Sequence, residues 1–219
     1  SKYNPRLSQV LDCLQLQNTL QPCFLPNRKN NCQEIYNYLS FVKFAHSIFA
    51  MPFALIGYTL AAKEIGEFSF ITLLLVVLCM IFARNAAMAF NRFVDRDIDS
   101  MNNRTSKREI PAGIIKTKQA FFFIILNSVL FVFTTYFLNE NKLAFYLSPV
   151  ALFVILGYSY TKRFTEFSHI ILGIGLGLAP IGAYIAVKGC FSMLPLIISF
   201  MVIFWVSGFD IIYSLQDYN

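Results

Sequence analysis

Asn91, Asp95 and Asp99 stand four residues apart in the stretch Arg84–Gly113, RNAAMAFNRFVDRDIDSMNNRTSKREIPAG. On an α-helix each is offset from the last by about 40° and roughly 6 Å, so one amide and two carboxylates converge on one side. Hard divalent cations take oxygen ligands of this kind. Mg²⁺ in particular uses one or two carboxylates and completes its shell with phosphate oxygens of a substrate. Around the acids sit Arg92, Arg96, Arg104, Lys107 and Arg108, and guanidinium groups suit the bidentate recognition of phosphate. The pattern predicts a Mg²⁺–diphosphate site at the end of a membrane helix.

Other residues point the same way. Asp210 and Asp217 lie seven apart near the C-terminal end, about 20° from eclipsed and roughly 10 Å along a helix, with Tyr213 on the adjoining face. Acids at the end of an apolar span are costly and are functional candidates by default, although a solvated helix terminus is the plainer reading of that pair alone. For Asn91, Asp95 and Asp99 the plainer reading is a surface helix with internal Arg–Asp pairs, which suits Asp97. Two carboxylates and an amide at even spacing, however, repel one another without a cation. Arg84 lies seven residues before Asn91 and needs a partner, for which the carboxylates are the nearest. Arg104 and Arg108 serve equally well as phosphate contacts or as topology-setting charges. The same holds for Lys162 and Arg163, with Lys162 favoured because it follows Tyr158 and Tyr160. His46 reads as a packed, hydrogen-bonded histidine. Gly173, Gly175, Gly177 and Gly182 read as small residues for close helix packing, since no strand precedes them to make a dinucleotide loop.

What must position these residues is a membrane bundle. Of 219 residues, 57% are hydrophobic and 14% charged, against about a quarter charged in soluble domains. The net charge of +6 does not imply nucleic acid, because the cations concentrate between apolar spans. Five cysteines without CxxC or Cys/His spacing predict free thiols rather than a disulfide framework. Residues 1–37 are expected to form a polar leader, disordered or peripheral, and 38–219 the transmembrane domain. The leader lacks the apolar run of a signal peptide. Six spans are predicted, at about 39–62, 68–90, 119–138, 143–159, 168–187 and 191–213, each long enough for a hydrocarbon core of roughly 30 Å. Pro52 is a possible kink in the first, and Gly residues and Pro180 are expected to break the fifth. Loop 91–118 holds seven Lys and Arg, and Lys162 and Arg163 follow span four, whereas Lys63, Lys142 and Lys188 stand alone in the opposite turns. The positive-inside rule then puts the leader, 91–118, 160–167 and the C-terminus in the cytoplasm. The acidic stretch, the YTKR loop and Asp210/Asp217 are therefore expected to meet on one membrane face.

The stretch from Asn91 to Gly113 resembles the UbiA-type superfamily of intramembrane prenyltransferases. NRFVDRDID fits that family's NxxxDxxxD, NRTSKREIPAG is similar to its RTxxRxxPxG tail, and DIIYSLQD looks like the start of its second motif, DxxYxxxDxxxD. FAHSIFAMPFAL in the first span and YSYTKRFT after the fourth add to the likeness, which covers about residues 38–219. The wording AMAFNRFVDRDIDSMNNRT is most similar to 4-hydroxybenzoate polyprenyltransferase-like bacterial members of ubiquinone and menaquinone pathways. The resemblance implies an all-α polytopic bundle, with about six spans present of a family nine. The second motif's last Asp would fall beyond Asn219, which implies C-terminal truncation. It further implies that Asn91, Asp95 and Asp99 hold one Mg²⁺ and Asp210 and Asp217 a second. Arg84, Arg104, Arg108 and Lys162 would neutralise a prenyl diphosphate, and Tyr158, Tyr160 and Tyr213 would line its pocket. The expected reaction is polyprenyl transfer to a 4-hydroxybenzoate-like aromatic acceptor at the cytoplasmic face of a bacterial inner membrane.

Three rivals remain at this level. CDP-alcohol phosphotransferases also use acidic membrane motifs with Mg²⁺, but their DGxxAR lead-in is missing. A cation-coupled transporter would carry its acids near the bilayer midplane, not at span ends among cations. A non-catalytic fragment is the third. Within the superfamily, heme, chlorophyll and lipid acceptors share the acidic motifs.

Overall fold

The computed structural model describes residues 37–42, 44–102, 105–138, 142–162, 164–165 and 168–215, with only the backbone for 44–49, 213 and 215. Two units separate at residue 38. The first holds the predicted leader, nearly all of which lies outside the described residues. The second, Leu39–Asn219, is all helical among the described residues. Its helices are α1 (Phe44–Ile65), α2 (Phe70–Val94), a short α3 (Arg96–Met101), α4 (Thr117–Tyr136), α5 (Leu143–Thr161), α6 (Ser168–Lys188) and α7 (Met193–Leu215).

Five of them, α2, α4, α5, α6 and α7, are long and apolar enough along the described residues to cross a membrane. α1 has the length too, at 22 residues. Their starts and stops follow from ordinary signals. Ser69 caps α2 by accepting a hydrogen bond from the Thr72 amide at 3.3 Å, which satisfies one of the helix's open N–H groups. The connection into it is pinned by Tyr58, whose hydroxyl donates to the Ser69 carbonyl at 2.7 Å and accepts from its amide at 3.1 Å.

α1, α2, α4, α5 and α6 pack pairwise into a closed ring, and α7 lies against α6. The packing is that of a membrane protein: small residues face inward and large apolar ones outward. Ala54, Ala61, Ala86, Ala89 and Ala120 are buried, whereas Phe122, Phe133, Phe153 and Phe204 keep most of their surface exposed. Apolar surface on this scale fits lipid, not water. Where helices approach closest, glycine is obligatory. A Cβ on Gly173 would stand 2.6 Å from the Ile203 carbonyl oxygen, and one on Gly177 would stand 3.0 Å from that of Ser199. The expected small-residue packing is therefore found at these two positions, between α6 and α7. Gly182 faces open space and Gly175 makes only an ordinary contact.

One expectation fails here. α6 is not broken at Pro180; it runs unbroken from Ser168 to Lys188 with Pro180 inside it. Proline removes one backbone bond, but neighbouring helices support such positions within a membrane. Pro180 is fully buried, and its carbonyl seats directly on Gly57 of α1. α1 also carries a proline, Pro52, within its helical run.

Candidate active site

The predicted spacing holds across the junction of α2 and α3. Asp95 caps the end of α2 with helical backbone angles. Its amide donates to the Asn91 carbonyl at 2.9 Å, and the Asp99 amide donates to the Asp95 carbonyl at 2.8 Å. Asn91, Asp95 and Asp99 thus stack on one continuous helical path. Both carboxylates are buried, Asp95 at 3% exposure and Asp99 at 6%.

A buried carboxylate without a partner is strongly destabilising, and each is met by a cation from a different loop. Lys162 Nζ, just past the end of α5, lies 2.7 Å from Asp95 Oδ2. Arg108 Nη1 lies 2.8 Å from both oxygens of Asp99. The turn that carries Arg108 is fastened in place: the Thr105 hydroxyl donates to the Asp99 carbonyl at 3.0 Å, and Gly113 closes it at φ +72°, a conformation glycine adopts without strain.

Asp210, near the end of α7, accepts from His169 Nδ1 in the first turn of α6 at 2.7 Å. Tyr158 lies within electrostatic reach of both the Asp95 and the Asp210 carboxylates. Among the described residues, the acidic stretch, Lys162 and Asp210 lie at the same end of the helices, with Tyr158 near both Asp95 and Asp210.

Behind the acids lies a cavity of about 310 Å³. Asn91, Arg84 and Tyr158 are among its few polar linings; Ala54, Val76, Ile155 and Leu176 represent the rest. Along α2 its wall runs from Val76 to Asn91, about 22 Å of helix axis. It is long and oily, with charge at one end. Arg84 Nε is buried in this wall with no hydrogen-bond partner among the described residues. The carboxylates, the nearest partners available to Arg84 by sequence, do not hydrogen-bond its Nε.

Other predicted residues are distributed as follows. Arg92, grouped by its position with the phosphate-binding cations, is buried and paired with Glu109, which also accepts from the Ser40 hydroxyl at 2.6 Å. This correction has a simple cause: the loop after α3 folds back and brings Glu109 against Arg92 of α2. Arg96 pairs at the surface with Asp97 at 3.5 Å, the arrangement expected for Asp97. Tyr160 is half exposed, packs against Phe90 with ring centroids 5.7 Å apart, and is absent from the cavity wall. Two residues of helix turn it about 160° away from Tyr158. Arg104, Arg163 and Asp217 lie outside the described residues, as do the side chains of His46 and Tyr213. His169 and Glu109 were not singled out from the sequence. Among the described residues no three acidic, His or Cys side chains converge closely enough to share a metal ion.

A helical ring of membrane-type packing around an apolar cavity, with buried acid–cation pairs near the end of α2, defines the class: a polytopic intramembrane helical protein. Residues 50–219 match the UbiA prenyltransferase family, and the chain belongs to it. It is an integral membrane protein. The 4-hydroxybenzoate octaprenyltransferases of Actinobacillus pleuropneumoniae serotype 5b and Photobacterium profundum are 34% and 32% identical to it over 146 residues, 66% of this chain. The chain spans about half the length of these curated relatives, 49% and 50%. Among solved structures, the apo form of a UbiA homolog from Aeropyrum pernix K1 superposes with a TM-score of 0.68 at 32% identity, covering 79% of this chain and 64% of that one. A UbiA homolog from Archaeoglobus fulgidus, bound to GPP and Mg²⁺, shares the fold at 22% identity and a TM-score of 0.65, covering 83% and 64%.

Proposed function

We propose that this protein binds a prenyl diphosphate with Mg²⁺ and transfers the prenyl group to a 4-hydroxybenzoate-like aromatic acceptor in quinone biosynthesis. The observation that carries the reading is the pair of buried carboxylates, Asp95 and Asp99, balanced by Lys162 and Arg108 at the charged end of an apolar cavity. The donor set fits the metal: oxygen ligands for a hard cation, with Arg84 Nε unpaired in the adjoining wall. Asn91, Asp95 and Asp99 would hold one ion and Asp210, with Asp217, a second. Bound there, Mg²⁺ supplies charge neutralisation on the diphosphate as the allylic C1–O bond breaks.

The chain's own residues do the rest. Lys162 and Arg108 release their carboxylates and turn to phosphate oxygens, so the leaving group's growing charge meets preorganised cations. Arg84 contributes from the cavity side, and Arg104 from the same loop as Arg108. The aromatic ring of the acceptor attacks C1, a C–C bond forms, diphosphate departs, and the ring proton is lost to restore aromaticity. Tyr158, in the cavity wall, offers its ring face to positive charge on the allyl group. The apolar wall holds the isoprenoid and excludes water, which would otherwise quench that cation to an alcohol. Support for the acceptor comes from the names of the bacterial relatives, and support for the donor from the GPP and Mg²⁺ of the archaeal homolog. By the distribution of Lys and Arg, the site opens to the cytoplasmic side of a bacterial inner membrane.

The test is prenyl transfer in membranes containing this chain, using radiolabelled prenyl diphosphate and 4-hydroxybenzoate with and without Mg²⁺. Mg²⁺-dependent labelling of the acceptor is expected. Labelling that ignores Mg²⁺ would remove the metal assignment, and failure to bind the diphosphate at all would remove the function.

A further inference from the structure

The stripe of α6 that faces α7 ends in a histidine. His169, Gly173 and Gly177 are four apart and share one face of α6. Opposite them on α7 stand Ser199, Ile203, Ser207 and Asp210. At Gly173 and Gly177 the backbones approach so closely that a Cβ would collide with the Ile203 and Ser199 carbonyls. These contacts fix the register of the two helices. One turn further on, the Ser207 hydroxyl donates to the His169 carbonyl at 3.1 Å. The outcome is that the imidazole lies against Asp210, with Nδ1 2.7 Å from Oδ2. An ionised carboxylate only accepts hydrogen bonds, so Nδ1 carries the proton and donates it.

We infer that His169 is a positioning residue for Asp210. The inference rests on the functional reading above, in which Asp210 is a ligand of the Mg²⁺–diphosphate. A carboxylate on the last turns of a helix, about a third exposed, has two side-chain torsions free to wander. The Nδ1–H of His169 removes that freedom by holding Oδ2 and leaves the other oxygen to reach the ion. Carboxylates that ligate metals are themselves hydrogen-bonded, and loss of such an outer partner typically costs about 10–100-fold in metal affinity. The partial exposure of this pair puts the expected effect near the lower end. The tight seam explains why the partner comes from α6: α7 can hold Asp210 at this register only because glycines admit its backbone.

The experiment measures geranyl diphosphate binding by calorimetry across a Mg²⁺ series, on the full 219-residue chain in detergent. Wild type is compared with His169→Ala, His169→Asn and Asp95→Asn, and thermal melting is recorded for each. His169→Ala is expected to raise the half-saturating Mg²⁺ by about tenfold. His169→Asn, whose amide nitrogen can stand near the Nδ1 position, should restore most of the loss. Equal Mg²⁺ dependence in wild type and His169→Ala would overturn the positioning role while leaving the function intact. A His169→Asn variant as impaired as the alanine would also overturn it, by reducing His169 to packing. Absence of Mg²⁺-dependent binding in wild type would overturn the functional reading itself, and this proposal with it.

Discussion

The two ends of the bundle carry charge in opposite ways. At one end, Glu64 of α1 pairs with Lys188 of α6 and accepts from the Tyr184 hydroxyl at 2.6 Å. Both charged side chains are about a third exposed, and water can serve either if the other is lost. At the opposite end, Asp95 and Asp99 are almost fully buried, and Arg92 with Glu109 is nearly as deep. Surface pairs contribute little to stability. Buried pairs commonly contribute no more than apolar residues of the same shape, yet losing one member leaves an uncompensated charge. A fold that needed only to hold its helices together would place its ion pairs as the first end does. The second end accepts a desolvation cost that helix packing does not require, and that is the argument for its being the working end.

The largest expected effect tests this directly. Asp95→Ala and Asp99→Ala should each abolish Mg²⁺-dependent prenyl transfer while the chain still inserts into membranes, as judged by carbonate extraction. Retained turnover in either variant would sink the metal assignment and make the two ends equivalent. Next in size is the Arg92–Glu109 pair, which is buried but faces away from the cavity. Glu109→Gln alone should lower unfolding stability by about 3–5 kcal/mol, since it strands Arg92. Replacing both partners together, Arg92→Met with Glu109→Leu, should recover most of the loss. If the single change instead removed diphosphate binding with no effect on stability, Arg92 would belong with the phosphate contacts after all. A smaller effect is expected for Lys162→Met: weaker diphosphate binding by about 1.5–3 kcal/mol, the usual worth of a charged hydrogen bond. Mg²⁺ alone should bind this variant more tightly than wild type, because Asp95 no longer has an ammonium to displace. Unchanged affinity for both ligands would reduce the Lys162 loop to a topology signal.

How far these contrasts were legible in the sequence depended on whether the signal was local. Helix period alone placed Asn91, Asp95 and Asp99 in one stack, and a count of Lys and Arg was enough to bring Lys162 to the face of Asp95, 67 residues away in the chain. Apolar runs located the helices to within a few residues. What could not be read was set by tertiary contact. His169 is a single histidine in the first turn of an apolar span, and its partner is 41 positions away on the next helix. Arg92 sits inside the acidic motif, and nothing nearby in sequence says that Glu109 folds back onto it. Tyr158 and Tyr160 looked alike as members of one loop; a helix that continues through them separates their faces. Pro180 carries the general cost of proline in a helix, and its seat against Gly57 of α1 is a tertiary contact that local sequence does not reveal.

The smallest expected effect is the one that could most cheaply break the comparison. Glu64→Gln keeps an acceptor for the Tyr184 hydroxyl and removes only the charge opposite Lys188. Because both partners are open to water, Lys188 can be solvated in place. Melting temperature and Mg²⁺-dependent transfer should both match wild type, at low salt as at high salt. The high-salt arm matters, since salt already screens an exposed pair and there is then little left for the mutation to remove. A loss of transfer in Glu64→Gln comparable to that of Asp95→Ala would mean that the exposed pair also serves catalysis, through the cavity wall that Ala183 and Ile185 of the same helix turn help to form. Burial would then have been the wrong guide to which end works.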